Sequence, residues 1–134
     1  YKTFKNPVAM AHNIYKGELK AREVIFRDTA TTMLFTMEYP KGQYFRFVSS
    51  SYLIDEEGNR YLLRSAEGIA LDSWVQSPES GTIDFTMHFE PMPKRVQMFD
   101  FIEGDVRGAF VLLGIHDKKY KIKAPTLQQL SDAT

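Results

Sequence analysis

Hydrophobic and polar residues alternate along two segments of the chain with the two-residue period of a half-buried β-strand. In residues 31–39 the odd positions carry Met, Phe, Met and Tyr, whereas the even positions include two Thr and one Glu. Residues 82–90 place Ile, Phe, Met and Phe on one face and Thr, Asp, Thr, His and Glu on the other. Pro91 and Pro93 follow, and proline cannot donate the hydrogen bonds of a central strand. The pattern therefore predicts two strands, each with one buried face.

A β-hairpin is predicted between these two strands. Residues 52–55 lead into the turn Glu-Glu-Gly-Asn and residues 60–64 lead out of it. Gly58 can adopt the positive φ that closes such a turn, and Asn59 tolerates a similar geometry. The acidic run 55–57 lacks the alternating ligands and distal carboxylate of a calcium loop, so we interpret it as a solvated turn.

Short apolar runs separated by Gly, Pro, Asn and Asp predict four further strands, at residues 21–27, 44–50, 96–103 and 109–116. Regularly spaced short strands without a convincing helix favour an antiparallel, immunoglobulin-like β-sandwich of about seven to eight strands. We expect the sandwich to occupy residues 1–124. Residues 125–134 are interpreted as a C-terminal tail or linker that holds at most one short helical turn, at 125–130.

Composition excludes several classes of function. A chain of 134 residues corresponds to one domain, and its 17 basic and 17 acidic residues cancel. We therefore predict no nucleic-acid binding, which needs a basic surface. No apolar run reaches the ~18 residues that a transmembrane helix requires. With no cysteine, the chain has no thiolate nucleophile, no redox pair and no disulfide.

Candidate chemistry is sparse. The three histidines, His12, His88 and His116, have no metal-site spacing, and no phosphate-binding loop or serine-nucleophile elbow is present. We predict no catalytic residues, no cofactor and no metal. The pair that an enzyme hypothesis would test first is His88 with Glu90, because residues two apart share a strand face.

Aromatic and apolar residues provide the candidate contacts instead. Four aromatic residues near turns, Tyr39, Tyr44, Tyr61 and Trp74, could stack on a sugar or anchor a partner, although Trp74 also suits the core. In the strand predicted at 109–116, Phe110, Leu112 and Gly114 would share one face, with Val111, Leu113 and Ile115 on the other. A strand that is apolar on both faces indicates a central position or a covering partner. We select Trp74, Tyr44, Phe110 and Leu112 as candidate contacts with a partner or ligand.

Basic residues precede the predicted tail. Lys118, Lys119, Lys121 and Lys123 are interleaved with Tyr120 and Ile122. Such a run could indicate an anionic partner, but we favour a solvated edge strand protected by its lysines.

Five short segments within residues 67–115, taken together, resemble one family of proteins. Their sequences are EGIALD at 67–72, SPESG at 77–81, FTMHFEPMP at 85–93, FDFIEGD at 99–105 and GI at 114–115. This order resembles the N-terminal β-sandwich module of secreted thioredoxin-like, thiol–disulfide oxidoreductase-type proteins of Bacteroidetes. With the hairpin at 52–61, the resemblance covers about three-quarters of the chain. None of the motifs is a catalytic signature.

The resemblance implies a periplasmic or extracellular location and a non-catalytic module that precedes a redox domain. Because this chain has no cysteine, redox activity does not carry over with it. The leading hypothesis is an accessory or interaction module of the bacterial envelope whose partner is a protein, either a redox domain or a second copy. The alternative hypothesis is a β-sandwich that binds a small ligand or a glycan through its exposed aromatic residues.

Overall fold

The computed structural model describes residues 2–104 and 106–122. It contains eleven strands: β1 (Lys2–Lys5), β2 (Ala11–His12), β3 (Glu18–Phe26), β4 (Thr31–Glu38), β5 (Tyr44–Phe45), β6 (Tyr52–Asp55), β7 (Arg60–Glu67), β8 (Val75–Gln76), β9 (Thr82–Phe89), β10 (Met98–Ile102) and β11 (Val111–His116). The described residues contain no helix, and hence none long and apolar enough to cross a bilayer.

Nine of these strands form one antiparallel arrangement in the order β1-β3-β4-β9-β7-β6-β10-β11-β2. It folds into two facing layers because β7 belongs to both. The first half of β7 pairs with β6, and the second half of β7, from Leu63 onward, pairs with β9. The predicted all-β antiparallel sandwich is therefore confirmed. The two remaining strands, β5 and β8, pair with each other in a small ribbon.

The N-terminal segment connects the two layers on the side opposite β7. β1 pairs with β3 at the edge of one layer, and Val8 then bridges to His116 of the other. β2 continues this contact by pairing with β11. One short stretch of chain thus covers an edge of each layer, which leaves less unpaired backbone at the sheet edges.

The core lies between the two layers and is rich in phenylalanine. Phe35 of β4 and Phe101 of β10 have ring centroids 5.2 Å apart, and Phe89 of β9 lies 6.2 Å from Phe101. The face that alternation assigned to the interior of β4 and β9 is confirmed, since Met33, Phe35, Met37, Phe85, Met87 and Phe89 are all buried. The predicted hairpin is also confirmed, with Gly58 at φ +87°.

The faces predicted for β11 are wrong, and a β-bulge is the reason. Between the pairs Phe99–Ile115 and Phe101–Leu112, β10 has one residue and β11 has two, Leu113 and Gly114. Gly114 adopts φ +65°, and its N–H donates to Asp100 Oδ1 at 2.8 Å. The extra residue turns both Leu112 and Ile115 into the core. The apolar character of this strand therefore reflects a bulge rather than two apolar faces.

Two other predicted elements differ from the structure. The strand expected at 44–50 is regular only at Tyr44–Phe45, because a turn in which Ser51 N–H donates to the Val48 carbonyl interrupts it. The lysine-rich edge strand is wrong over residues 118–122, where Tyr120 N–H donates to the Asp117 carbonyl in a turn. Lys123, the end of the predicted domain at 124, the helical turn at 125–130 and the tail at 125–134 lie outside the described residues.

Candidate functional site

All three exposed aromatic side chains of the described residues line one cleft. These are Tyr15, Tyr44 and Trp74, with 88%, 56% and 65% of their surface exposed. The cleft lies at one end of the sandwich and has a volume of about 330 Å³. That volume falls in the range of small-ligand sites, which are typically about 300–1,000 Å³. Phe110 and Tyr39, both half-buried, also line it.

The β5–β8 ribbon presents Tyr44 and Trp74 to the cleft. Tyr44 pairs with Gln76 and Phe45 with Val75, so alternation turns Phe45 into the core and leaves Tyr44 exposed. Trp74 continues this register and lies beside Arg46, whose guanidinium carbon is 4.7 Å from the centre of the indole ring. The interpretation of Trp74 as a core aromatic is therefore wrong. The ribbon lies outside the two main layers, so the face that carries Tyr44 is exposed to solvent.

The loop before Trp74 is held by two hydrogen bonds of Asp72. Asp72, at φ +60°, donates its N–H to the Phe47 carbonyl at 2.8 Å. Its carboxylate accepts the Ser49 N–H at 2.9 Å, and this bond lowers the pKa of Asp72. These bonds fasten the loop to the segment that follows β5, so both sides of the ribbon have a fixed position.

Glu103 and Phe110, at the two ends of the connection between β10 and β11, form the floor. Glu103 donates its N–H to the Phe110 carbonyl at 3.0 Å, and its Oε1 accepts the Phe110 N–H at 2.9 Å. Phe110 itself packs against Phe47, with ring centroids 5.4 Å apart, and lies 6.4 Å from Tyr39. The half-buried position of Phe110 therefore makes it part of the cleft wall.

Glu103 is a buried carboxylate that sequence reasoning did not select. Only 3% of its surface is exposed, yet it lines the cleft. Burial raises the pKa of Glu103 to about 7, against the opposing effects of the Phe110 and Val48 N–H groups and of Arg46. Its carboxylate is thus poised to change charge near neutral pH. In the sequence, Glu103 stands at the end of a predicted strand, where an acidic residue is unremarkable.

The connection between β2 and β3 closes the other side. Asn13 anchors it to the start of β11, with Nδ2 donating to the Ala109 carbonyl at 2.6 Å and Oδ1 accepting the Val111 N–H at 2.9 Å. At Gly17 a Cβ would overlap with the carbonyl oxygen of Glu38, so this close approach requires glycine. The loop between these two points carries Tyr15 and Lys16.

The rim of the cleft is basic. Three cationic residues, Lys16, Arg46 and Arg107, line it, whereas Glu103 is the one acidic residue in its described lining. None of the three cations forms an ion pair with a carboxylate of residues 2–104 or 106–122. Arg46 stacks on Trp74 and Lys16 Nζ lies 5.8 Å from the centre of the Tyr15 ring. Lys16 and Arg46 therefore border aromatic rings, and the charge of Arg46 also acts to lower the pKa of the nearby carboxyls of Glu103 and Asp72.

The structure brings together three of the four contact residues selected from the sequence. Tyr44, Trp74 and Phe110 share the cleft. Leu112 is only 2% exposed and lies below a different crevice of about 480 Å³, between the N-terminal segment and β3. Tyr61, expected near the surface, is buried and donates its hydroxyl to Asp55 Oδ2 at 2.7 Å.

The histidine that the enzyme hypothesis singled out has partners other than Glu90. His88 Nδ1 lies 3.0 Å from Thr32 Oγ1, and its Nε2 lies 3.0 Å from Glu67 Oε2. Glu90 instead accepts the Leu62 N–H at 2.8 Å. A hydroxyl, an imidazole and a carboxylate in this order resemble a nucleophile triad in composition. None of the three side chains lines the aromatic cleft, and they are better explained as a polar ladder across β4, β9 and β7.

No group of three or more potential metal ligands occurs within residues 2–104 and 106–122. Comparisons with models of protein families, with curated proteins and with solved structures gave no match. The resemblance to the accessory module of thioredoxin-like proteins accordingly stays a prediction, and the case for a function rests on the cleft.

Proposed function

We propose that this protein binds a small ligand with a flat ring face, a saccharide in particular, in the cleft of Tyr15, Tyr44 and Trp74. The observation that carries this proposal is the convergence of every exposed aromatic side chain of the described residues on one cleft. Exposed aromatic rings that together line a concave site suit a ligand that stacks on them.

The polar groups of the cleft fit such a ligand. A carboxylate has about four lone-pair positions, and two backbone N–H groups approach Glu103. The remaining positions can accept hydroxyl donors from a saccharide at the floor of the cleft, while the rings contact its apolar face. This combination of an apolar wall and a few polar groups is typical of small-molecule sites.

Binding can be followed through Trp74, because it is the only tryptophan in the chain. We expect a glycan array to identify at least one saccharide, and titration of that saccharide to change the intrinsic fluorescence. The variant Tyr44→Ala should weaken this binding by about ten- to one-hundredfold, as expected for a contact aromatic. Its fold should persist because Tyr44 is largely exposed.

Leu62→Ala is the matched control, since Leu62 is 53% exposed and lies on β7, outside the lining of the cleft. It should leave the affinity unchanged. An array with no hits, together with fluorescence that no saccharide alters, would refute the proposal.

A protein-interaction module, which the resemblance would place in the bacterial envelope, is a second candidate, and a separate surface supports the interaction. Val8, Met10 and Leu113 are 45%, 60% and 38% exposed. They adjoin one another, since Met10 N–H donates to the Leu113 carbonyl at 2.8 Å and Val8 bridges to His116. Exposed apolar side chains at a sheet edge suit a second copy or a neighbouring domain.

Light scattering after gel filtration, over a series of protein concentrations, tests self-association. We expect a dimer that Met10→Glu converts to a monomer. A chain that stays monomeric at every concentration would remove the support for pairing of two copies through this edge.

A further inference from the structure

We infer that the cleft selects acidic saccharides, uronates in particular, over neutral ones; this inference rests on the proposed function. Its basis is the separation of charge within the cleft. Glu103, the one carboxylate in the described lining, is almost completely buried, whereas Lys16 and Arg107 of the same lining are exposed and Arg46 is half-buried.

The floor offers a hydrogen-bond acceptor. Glu103 is almost completely buried, and it receives the N–H groups of Phe110 and Val48. A hydroxyl of the ligand can donate to its remaining lone pairs. In its ionised form this carboxylate repels an anionic group of the ligand at short range, whereas a neutral hydroxyl can approach it in either charge state. We therefore place a neutral, hydroxyl-bearing part of the ligand at the floor.

The rim can bind an anion. Lys16 and Arg107 are exposed, and no carboxylate of the described residues pairs with them. Arg46 is held against one face of Trp74, which fixes its guanidinium beside the aromatic wall. Guanidinium and ammonium groups bind carboxylates through charge-assisted hydrogen bonds, which are stronger than those between neutral groups.

A ligand that matches both the floor and the rim carries hydroxyls on one side and an anion on the other, joined by a ring that stacks on Trp74 and Tyr44. A uronate residue has this composition. Single-stranded nucleic acid also combines rings with negative charge, but its phosphates need a basic path along the protein, and this chain has no net charge.

The test compares charged ligands with matched neutral ones. Trimers of galacturonate, glucuronate and mannuronate are titrated into the full chain alongside their methyl esters, with Trp74 fluorescence and calorimetry as readouts. The ester keeps every ring and ring hydroxyl, removes the charge and adds one methyl group to each carboxyl. We expect at least one acid to bind about tenfold tighter than its ester, and raised salt to reduce this difference.

Variants assign the preference to the rim. Arg107→Gln and Lys16→Gln should each weaken binding of the acid by roughly three- to tenfold and leave binding of the ester unchanged. Lys118→Gln removes an exposed charge outside the cleft and is the control. All three positions are exposed, so thermal unfolding should show that the variants retain the fold.

The outcomes distinguish failure of this inference from failure of the proposed saccharide binding. Equal binding of acid and ester would overturn the preference for uronates and leave a saccharide site in place. No binding of any acid, ester or neutral sugar would overturn both. Competition by inorganic sulfate as effective as that by the uronates would indicate a general anion site and overturn the inference. Tighter binding of a short oligothymidylate than of every uronate would likewise overturn it, in favour of nucleic acid.

Discussion

In the layer formed by β6, β10, β11 and the first half of β7, the β6–β7 turn and the β10–β11 connection lie at opposite ends. Each contains one buried carboxylate, and the pKa values of the two carboxylates shift in opposite directions. Asp55 lies at the turn between β6 and β7, and Glu103 lies at the connection between β10 and β11. Their separation follows from the antiparallel pairing of β6 with β10, which sets Asp55 against Phe99 and Tyr52 against Ile102. Asp55 is 7% exposed and Glu103 is 3% exposed.

Asp55 lies within a complete shell of donors. Its Oδ1 accepts the N–H groups of Glu57 and Asn59 at 2.9 and 3.0 Å. Its Oδ2 accepts the Tyr61 hydroxyl at 2.7 Å and the Asn59 side-chain amide at 3.2 Å. Burial alone would raise the pKa of Asp55, but these hydrogen bonds together lower it below its usual value. The turn thus holds its carboxylate ionised.

Glu103 has fewer donors and a higher pKa. Two backbone N–H groups approach it, from Phe110 and Val48, and burial outweighs them to raise its pKa to about 7. Both carboxylates have little exposed surface, but Glu103 lies deeper in the protein than Asp55. The depth of burial and the number of donors together decide the charge of each carboxylate.

The largest effect should come from removing the charge that the β6–β7 turn holds. Asp55→Asn replaces one carboxylate oxygen with an amide group that donates, so at least one of the four donors loses its acceptor. We expect the free energy of unfolding, measured in urea, to fall by about 2–4 kcal/mol.

Glu57→Gln is the control from the same turn. Glu57 forms an exposed ion pair with Arg95 at 3.2 Å, and such pairs contribute about 0–1 kcal/mol. If Asp55→Asn proved as mild as this control, the donor shell would not be the source of the stability of the turn.

The next effect should appear in the pH dependence of stability. Because the pKa of Glu103 is raised from 4.5 to about 7, the folded chain binds more protons than the unfolded chain between these values. The free energy of unfolding should therefore fall as the pH rises from 4.5 to 7, by no more than about 3 kcal/mol from this group, and level off above 7. Asp55 has the opposite sign, and its contribution is lost as the pH falls through its lowered pKa.

Unfolding of the natural chain and of Glu103→Gln at several pH values isolates this contribution. The variant should lose the decline between pH 4.5 and 7 and keep the rest of the profile. Profiles that run parallel over this interval would show that Glu103 does not titrate there.

The smallest effect should come from a single donor in the β6–β7 turn. Tyr61→Phe removes the hydroxyl that donates to Asp55, so we expect a loss of about 1–2 kcal/mol and a rise in the pKa of Asp55. Carboxyl carbon chemical shifts measured by nuclear magnetic resonance report that pKa directly.

Tyr52→Phe is the matched control. Tyr52 is also a buried tyrosine, and its hydroxyl has no hydrogen bond with any residue in the described ranges. It should leave the pKa of Asp55 unchanged. A similar shift in both variants would assign the effect to packing rather than to the hydroxyl.

Several elements of this fold were predictable because their cause is local. The alternation of Met33, Phe35 and Met37 defines a buried face within one strand, and Gly58 marks a turn that needs positive φ. Both depend on the residues nearby and on the pleat of a strand, so the sequence predicts them without knowledge of the neighbours.

Other features depend on partners far along the chain. The bulge at Gly114 exists because β11 must match the register of β10, and it reversed the predicted face of Ile115. Trp74 is exposed because the β5–β8 ribbon lies outside the two layers, a position that no local pattern encodes.

The sequence by itself determined the all-β class, the main strands and the small set of aromatic residues from which three of the cleft contacts came. Only the tertiary structure decided that Tyr44, Trp74 and Phe110 meet in one cleft and that Glu103 forms its floor. The reason is physical: strand formation follows from side-chain alternation over a few residues, whereas the cleft is assembled from loops that are distant in sequence. The charge of Glu103 depends in turn on the burial and the donors that those loops create.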